Sequence, residues 1–123
     1  MMGAMPLRRH PALLALLTLL ALASSSCGKR YVDFSVTNNT AIELHAVEIN
    51  YPGGSFGTTK LAPGQTFHYH FKSLQNGKLK LGFEGPGHKW ISSDGPAWSQ
   101  GHGGNIQTTI DADSRVRWET TGG

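Results

Sequence analysis

The sequence predicts an all-β fold: a small antiparallel β-sandwich of about seven short strands after a cleaved export segment. Apolar residues beyond position 30 recur with a period of two, which is typical of half-buried strands. Turn-forming residues interrupt this alternation about every eight to twelve residues, as they do in sandwich domains. The same region contains no stretch longer than a turn with helical periodicity. A small, partly open β-barrel is the alternative fold.

The first 26 residues differ in composition from the rest of the chain. Arg8 and Arg9 precede an apolar run over residues 12–23, and serines follow it at positions 24–26. A basic start, a short apolar run and a small-residue exit are typical of a secretory signal peptide. Twelve residues at about 1.5 Å each reach about 18 Å, which is too short for a hydrocarbon core of about 30 Å. We therefore predict that residues 1–26 are a signal peptide and are absent from the working protein.

Cys27 is the one cysteine of the sequence and directly follows this segment. With Ser25 and Ser26 before it, the segment resembles bacterial lipoprotein precursors, in which such a cysteine is lipidated and becomes the new N-terminus. The resemblance implies an acylated Cys27 and a short tether over residues 27–30. Gly28 stands where an aspartate favours inner-membrane retention, so the outer membrane is the expected location in a source with two membranes.

The alternative is ordinary cleavage after the Ala-Leu-Ala of residues 21–23, which would give a secreted protein with a free thiol at Cys27. A lone thiol without a disulfide partner is unusual in an oxidising compartment. Lipidation of Cys27 explains it more simply.

The predicted domain covers residues 31–123, and its first strand, "YVDFSVT", alternates apolar and polar residues. Residues 38–40, Asn-Asn-Thr, predict a turn. In the following run the apolar residues change parity between Ala46 and Val47, which indicates a bulge or a bend, because a slip of one residue reverses the face. Residues 52–55 predict another turn, followed by a short strand near residues 56–60.

Pro63 and Gly64 predict a type II turn before a strand that buries Phe67, Tyr69 and Phe71 by alternation. Residues 76–77, Asn-Gly, predict a hairpin between this strand and the next one, residues 78–83. A three-residue loop with a bulge pairs Phe71 with Phe83. We prefer this to a two-residue loop, which would put a histidine on the apolar face.

Periodicity fails over residues 85–104, which hold six glycines, two prolines and two tryptophans. A short strand near residues 89–92 is the most that this segment predicts. Two strands close the chain at residues 105–110 and 115–119. The stretch "KLAPGQTFHYHF", residues 60–71, resembles the turn and aromatic-rich strand of immunoglobulin-like and fibronectin type III-like domains, which implies an immunoglobulin-like sandwich.

The glycine-rich segment supplies the candidate contact residues Trp90, Trp98, His88 and His102. Exposed aromatic side chains on a loop bind sugars or protein partners at low entropic cost. The competing interpretation is that one or both indoles close an end of the sandwich.

His68 and His70 lie two residues apart, so on a strand they share a face that suits two ligands of a zinc or copper ion. A site needs further donors, and no spacing links them to the candidates His45, His88, His102, Asp94 and Glu43. The competing interpretation is that both histidines face solvent.

Composition excludes several functions. Without residues 1–26, nine basic residues face eight acidic ones, with no basic run, so nucleic acid is not an expected partner. The chain contains no nucleophile motif or phosphate-binding loop, so we predict no enzymatic activity and no cofactor. The sequence therefore predicts a membrane-anchored binding module for an envelope protein or a glycan, with a histidine-based metal-binding protein as the alternative.

Overall fold

The computed structural model describes residues 30–122, which form eight β-strands and one short 3-10 turn, Pro86–His88. The predicted signal peptide and Cys27 lie outside the described residues. The strands are β1 (Val32–Asn38), β2 (Leu44–Tyr51), β3 (Gly54–Leu61), β4 (Thr66–Phe71), β5 (Gly77–Glu84), β6 (Trp90–Trp98), β7 (Gly104–Ile110) and β8 (Val116–Thr121).

The strands form two four-stranded sheets. Sheet A has the order β4-β1-β7-β8, and sheet B has the order β3-β2-β5-β6. The predicted β-sandwich is confirmed, and over residues 30–122 the sheets do not close into the alternative barrel. One detail of the prediction is wrong: β1 and β7 run parallel, so sheet A is mixed. A parallel pair of strands distant in the chain leaves no local sequence signal.

The core lies between the sheets and is built from the residues that alternate inward. Its buried members include Val32, Phe34 and Val36 of β1, whose inward positions the alternation predicts. The others are Leu44, Val47, Ile49, Leu61, Phe71, Leu79, Leu81, Phe83, Trp98, Ile106 and Ile110.

The predicted parity change in β2 is a β-bulge. The pairing of β2 with β5 shifts between His45 and Glu48, and Ala46 has a φ of 50°. The predicted type II turn is also present, because Gly64 has a φ of 79° and the Gln65 amide donates to the Ala62 carbonyl at 3.0 Å. Both features were predictable because each depends on a few adjacent residues.

The hairpin predicted between β4 and β5 is wrong. β4 pairs with β1 instead, with Phe71 opposite Val32, and residues 72–76 cross to the other sheet. The Asn76 side chain does not close a hairpin but accepts a hydrogen bond from the Gln100 amide at 2.8 Å. The local Asn-Gly signal is overridden because β5 gains partners on both sides, β2 and β6, as an inner strand of sheet B.

Burial along β4 also departs from the alternation. Phe71 is buried, whereas Tyr69 is 38% exposed. β4 is an edge strand, and Tyr69 stacks on Phe56 of β3 with ring centroids 4.0 Å apart and an interplanar angle of 14°. Two aromatic rings therefore cover the side of the sandwich where β3 and β4 meet.

The glycine-rich segment contains more structure than its sequence predicts. β6 extends over nine residues, whereas the prediction was a short strand near residues 89–92. The pairing of β5 with β6 shifts between Lys78 and Lys80, so the inward residues Ile91 and Trp98 have opposite parity and the alternation is broken. Gly95 and Pro96 conceal the strand further, because both residue types are depleted in strands. Glycine at position 95 is required by packing, since a Cβ there would lie 2.7 Å from the Trp118 ring.

Candidate contact surfaces

The sandwich has two ends with different surfaces. At the first, here called the N-terminal end, the described chain begins at Arg30 and residues 52–53, 72–76 and 99–103 connect the strands. The opposite end, here called the distal end, carries the connections of residues 39–43, 62–65, 85–89 and 111–115. The seven residues of β1 separate the two ends by about 20 Å, at about 3.3 Å per residue.

Trp90 begins β6 at the distal end and is 52% exposed. Its indole lies across Gly82 on the outer face of sheet B, where a Cβ would overlap the ring. One side of the indole is therefore packed on backbone, and much of the side chain remains open to solvent. Because both residues belong to hydrogen-bonded strands, the ring is held on a rigid support.

Polar side chains surround Trp90 on this face. Glu84 of β5 is paired with both His45 and Trp90, and Gly82 is paired with both Glu48 and Ser92. The next row pairs Lys80 with Asn50 and Asp94. The outer face of sheet B around Trp90 consists of His45, Glu48, Asn50, Lys80, Glu84, Ser92 and Asp94. We call this group of residues, with Trp90 and Gly82, the Trp90 face.

His88 lies beside the Trp90 face in the β5–β6 connection. Its side chain is 91% exposed, and its Nδ1 lies 2.5 Å from Oε1 of Glu84. The contact ties the connection to β5 and brings His88 to the same end of the sheet as Trp90. Gly87 and His88 both have positive φ, which turns the chain sharply before β6 begins.

Trp98 and His102 do not join this group. Trp98 ends β6 at the N-terminal end, eight residues after Trp90 and about 26 Å from it by strand length. His102 lies in the connection that follows β6 at the same end. Trp98 is only 7% exposed and belongs to the core, and its Nε1 donates to the His102 carbonyl at 2.9 Å. Trp98 therefore fits the competing interpretation, in which an indole closes an end of the sandwich. It does not belong to the contact surface.

His68 and His70 share the outer face of sheet A, on β4. Nδ1 of His70 lies 2.9 Å from Oδ1 of Asp33, and the ring stacks on Tyr31 with centroids 4.5 Å apart. His68 lies opposite Ser35 in the pairing with β1. Among residues 30–122, no group of three or more histidine, cysteine, aspartate or glutamate side chains is arranged to hold a metal ion. Metal binding by these two histidines stays a prediction.

An ion pair stabilises the β7–β8 turn at the distal end. Arg117 donates from Nε to Oδ2 of Asp111 at 2.6 Å and from Nη2 to Oδ1 at 3.2 Å. The hydrogen bonds from Arg117 lower the pKa of the Asp111 carboxyl below its ordinary value, and the same contact raises the pKa of Arg117. This ion pair therefore holds the β7–β8 turn against strand β8.

The polar part of the Trp90 face was not predicted from the sequence, although two of its residues were candidates for another role. His45 and Asp94 were candidate metal donors, whereas Glu48, Asn50 and Ser92 were not singled out. Their outward parity in β2 and β6 was the available signal. It was not sufficient, because the order of the strands in sheet B decides which outward residues become neighbours.

Comparisons with known proteins establish the fold and nothing beyond it. No family model matches the chain, and no curated protein is significantly similar to it. A solved structure, described as the NMR structure of the protein from Eubacterium rectale, is similar with a TM-score of 0.54 and 10% sequence identity. The similarity covers 80% of this chain and 95% of that one. Within residues 30–122, no helix has the length and apolar character needed to cross a bilayer.

Proposed function

We propose that this chain is a lipid-anchored protein of the cell envelope whose β-sandwich binds a carbohydrate chain through the Trp90 face. The half-exposed Trp90 indole, seated on Gly82 among polar side chains, carries the proposal. The axial C–H groups of a pyranose ring pack on an aromatic face, while its hydroxyls hydrogen-bond to carboxylate, amide and hydroxyl side chains. A ring already fixed on strands loses little conformational freedom when it binds.

The composition of the Trp90 face favours a carbohydrate over a protein partner. The centre of a protein interface is depleted in charged residues and enriched in apolar ones. Here Trp90 is the one large apolar side chain, and charged residues such as Glu48, Lys80 and Asp94 surround it. Such a surface suits a ligand with a single apolar face and many hydroxyl groups.

The position of the Trp90 face suits a protein that is anchored through Cys27. A chain tethered through Cys27 would approach the sandwich at Arg30, at the N-terminal end. Trp90 and His88 lie at the distal end, about 20 Å away along β1. An anchored sandwich would then direct its aromatic contact away from the bilayer, where a polymeric ligand can reach it.

Binding to defined oligosaccharides tests the proposal. We would titrate the protein with hexasaccharides of β-1,4-linked glucose and of β-1,4-linked N-acetylglucosamine, whose equatorial substituents leave axial C–H groups exposed, and with peptidoglycan strands. Trp90→Ala is expected to weaken binding about thirty-fold, equivalent to the roughly 2 kcal/mol typical of a hot-spot residue. Trp90→Phe should retain part of the affinity, because a smaller ring still offers a face.

Two further variants separate the indole from its support. Gly82→Ala keeps the tryptophan at position 90, but the added methyl group displaces the indole ring from the sheet face. This variant should therefore weaken binding without removing an aromatic side chain. Tyr31→Ala, a matched removal of an exposed aromatic at the opposite end, should leave binding unchanged. Equal affinities for the wild type and Trp90→Ala, or no binding to any probe, would contradict the carbohydrate proposal.

A further inference from the structure

The N-terminal end carries two exposed large apolar side chains that the Trp90 face does not use. Tyr31 is 51% exposed and Leu74 is 53% exposed. Tyr31 directly precedes β1, and Leu74 belongs to the crossing from β4 to β5, residues 72–76. Both therefore lie at the end of the sandwich where the chain enters.

Leu74 is held outward by its surroundings. Its amide donates to the Pro52 carbonyl at 3.2 Å, and its side chain packs against the backbone of Gly53, where a Cβ would lie 2.7 Å from the Leu74 Cβ. The adjacent Ser73 is buried and accepts a hydrogen bond from the Gly101 amide at 3.0 Å. The crossing is therefore fixed by hydrogen bonds on both sides of Leu74, and about half of the Leu74 side chain still remains exposed to solvent.

Three exposed basic residues lie at the same end of the sandwich as these two side chains. Arg30, Lys72 and Lys78 are all exposed at the N-terminal end. Asp33, an acidic residue one position inside this end, is engaged by His70. The distal end instead mixes both signs: Glu43, Glu84, Asp111 and Asp113 lie there together with Lys60, Lys89, Arg115 and Arg117.

We propose that the N-terminal end docks on an anionic lipid bilayer, with Leu74 and Tyr31 entering the interface and Arg30, Lys72 and Lys78 facing the headgroups. This inference rests on the proposed lipid anchor at Cys27. Tyr31 lies four positions after Cys27, so the anchored end lies within about 14 Å of the bilayer surface even with the tether fully extended. Tyrosine is favoured at membrane interfaces, and basic residues are attracted to anionic headgroups.

The docked orientation can be measured on the full chain after export and lipidation. Cys27 is the one natural cysteine and carries the anchor, so a cysteine introduced elsewhere is a single free thiol. We would label Leu74→Cys at the N-terminal end and, as the matched control, Ile42→Cys at the distal end, where Ile42 is 43% exposed. Each protein is reconstituted into phosphatidylglycerol vesicles that contain lipids brominated along the acyl chain.

Bromine quenches a fluorophore only at contact distance, so quenching reports insertion rather than mere proximity. We expect the label at position 74 to be quenched several-fold more strongly than the label at position 42. Equal quenching at the two positions, with Cys27 shown by mass spectrometry to be acylated, overturns the docking and leaves the anchor intact. An unmodified Cys27 contradicts the anchor, and the docking is then wrong with it.

A second arm tests the charges. Lys72→Gln combined with Lys78→Gln should reduce the quenching at position 74, as should zwitterionic lipid or high salt, because exposed charges are screened. Lys89→Gln combined with Arg115→Gln removes the same charge from the distal end and should have no effect. If the two pairs of substitutions behave alike, electrostatic docking through this end is wrong.

Discussion

The indole Nε1 of Trp118 donates to the Ser93 hydroxyl at 3.1 Å, which joins an edge strand of sheet A to an edge strand of sheet B. The same ring occupies the space beside Gly95, where a Cβ would lie 2.7 Å from it. One residue of β8 thus closes the side of the sandwich where β6 and β8 meet. On the opposite side, the stacked rings of Tyr69 and Phe56 have the same effect.

The first prediction concerns Gly95. Gly95→Ala places a methyl group against the Trp118 ring, and overpacking of this kind costs about 1–3 kcal/mol. The lower entropy of the unfolded alanine chain returns up to about 1 kcal/mol. We expect a net loss of about 1–2 kcal/mol in the free energy of unfolding, measured by urea denaturation.

A double-mutant cycle provides the control. In a Trp118→Ala background the obstacle is gone, so Gly95→Ala should be neutral or slightly stabilising. If Gly95→Ala costs the same amount in both backgrounds, the backbone at position 95 and not the contact with Trp118 requires glycine.

Features that depend on neighbouring residues were predictable from the sequence. Alternation identified the inward side of β1, the parity change identified the bulge at Ala46, and Pro63-Gly64 identified a type II turn. Strand order was not predictable in the same way. The Asn-Gly at residues 76–77 is a strong hairpin signal, yet the pairing depends on which strands bury β5 better, and that is decided across the whole sheet.

The second prediction separates the two candidate tryptophans by stability. Trp98 is buried in the core, so Trp98→Ala should lower the free energy of unfolding by about 3–5 kcal/mol. Trp90 is half exposed on a sheet face, so Trp90→Ala should cost about 1 kcal/mol or less. Equal losses measured in parallel denaturation curves would mean that the Trp90 indole is structural and would weaken its role in binding.

The contrast between Trp98 and Trp90 also shows which part of the candidate site could not be predicted from the sequence. The glycine-rich sequence of residues 85–104 groups Trp90 and His88 with Trp98 and His102 and predicts at most a short strand near residues 89–92. In the structure a nine-residue strand divides them between opposite ends. Glycine and proline concealed the strand, so sequence proximity did not reveal that the four candidates divide between the two ends of the sandwich.

The third prediction concerns acid stability and follows from the Asp111–Arg117 pair. Arg117 lowers the pKa of Asp111 in the folded protein below the ordinary value of 3.8, so folding favours the charged carboxylate. The resulting stability is present above pH 3.8 and is lost as the pH falls through the folded pKa. Urea denaturation from pH 7 downward should therefore show a steeper acid loss for the wild type than for Asp111→Asn.

Arg117→Gln tests the cause of this effect. It removes the hydrogen-bond donor that lowers the Asp111 pKa, so it should flatten the acid dependence as Asp111→Asn does. Combining the two substitutions should flatten it no further. An unchanged acid slope in Arg117→Gln would assign the pH dependence to other carboxylates.

Asn38 ends β1 and is fully buried, although the sequence predicted only a turn there. Its Nδ2 donates to the carbonyls of Ile42 and Leu61 at 2.8 and 2.9 Å, and its Oδ1 accepts from the amide and the hydroxyl of Thr40. One side chain thus satisfies the backbone of the β1–β2 connection and the end of β3. Burial is affordable because every polar atom of the amide has a partner.

The fourth prediction follows from these bonds. Asn38→Ala leaves the buried Leu61 carbonyl without its side-chain donor, and an unsatisfied buried group costs about 1–3 kcal/mol. With the bond to Ile42 also lost, we expect the free energy of unfolding to fall by about 2–4 kcal/mol.

The matched control is Asn39→Ala, because the Asn39 side chain is exposed and makes only a long contact of 3.4 Å to Asp111. That variant should stay within about 0.5 kcal/mol of the wild type. Similar losses for the two neighbours in urea denaturation would show that the connection needs asparagine for its turn conformation and not for the buried bonds that link β1 to β3.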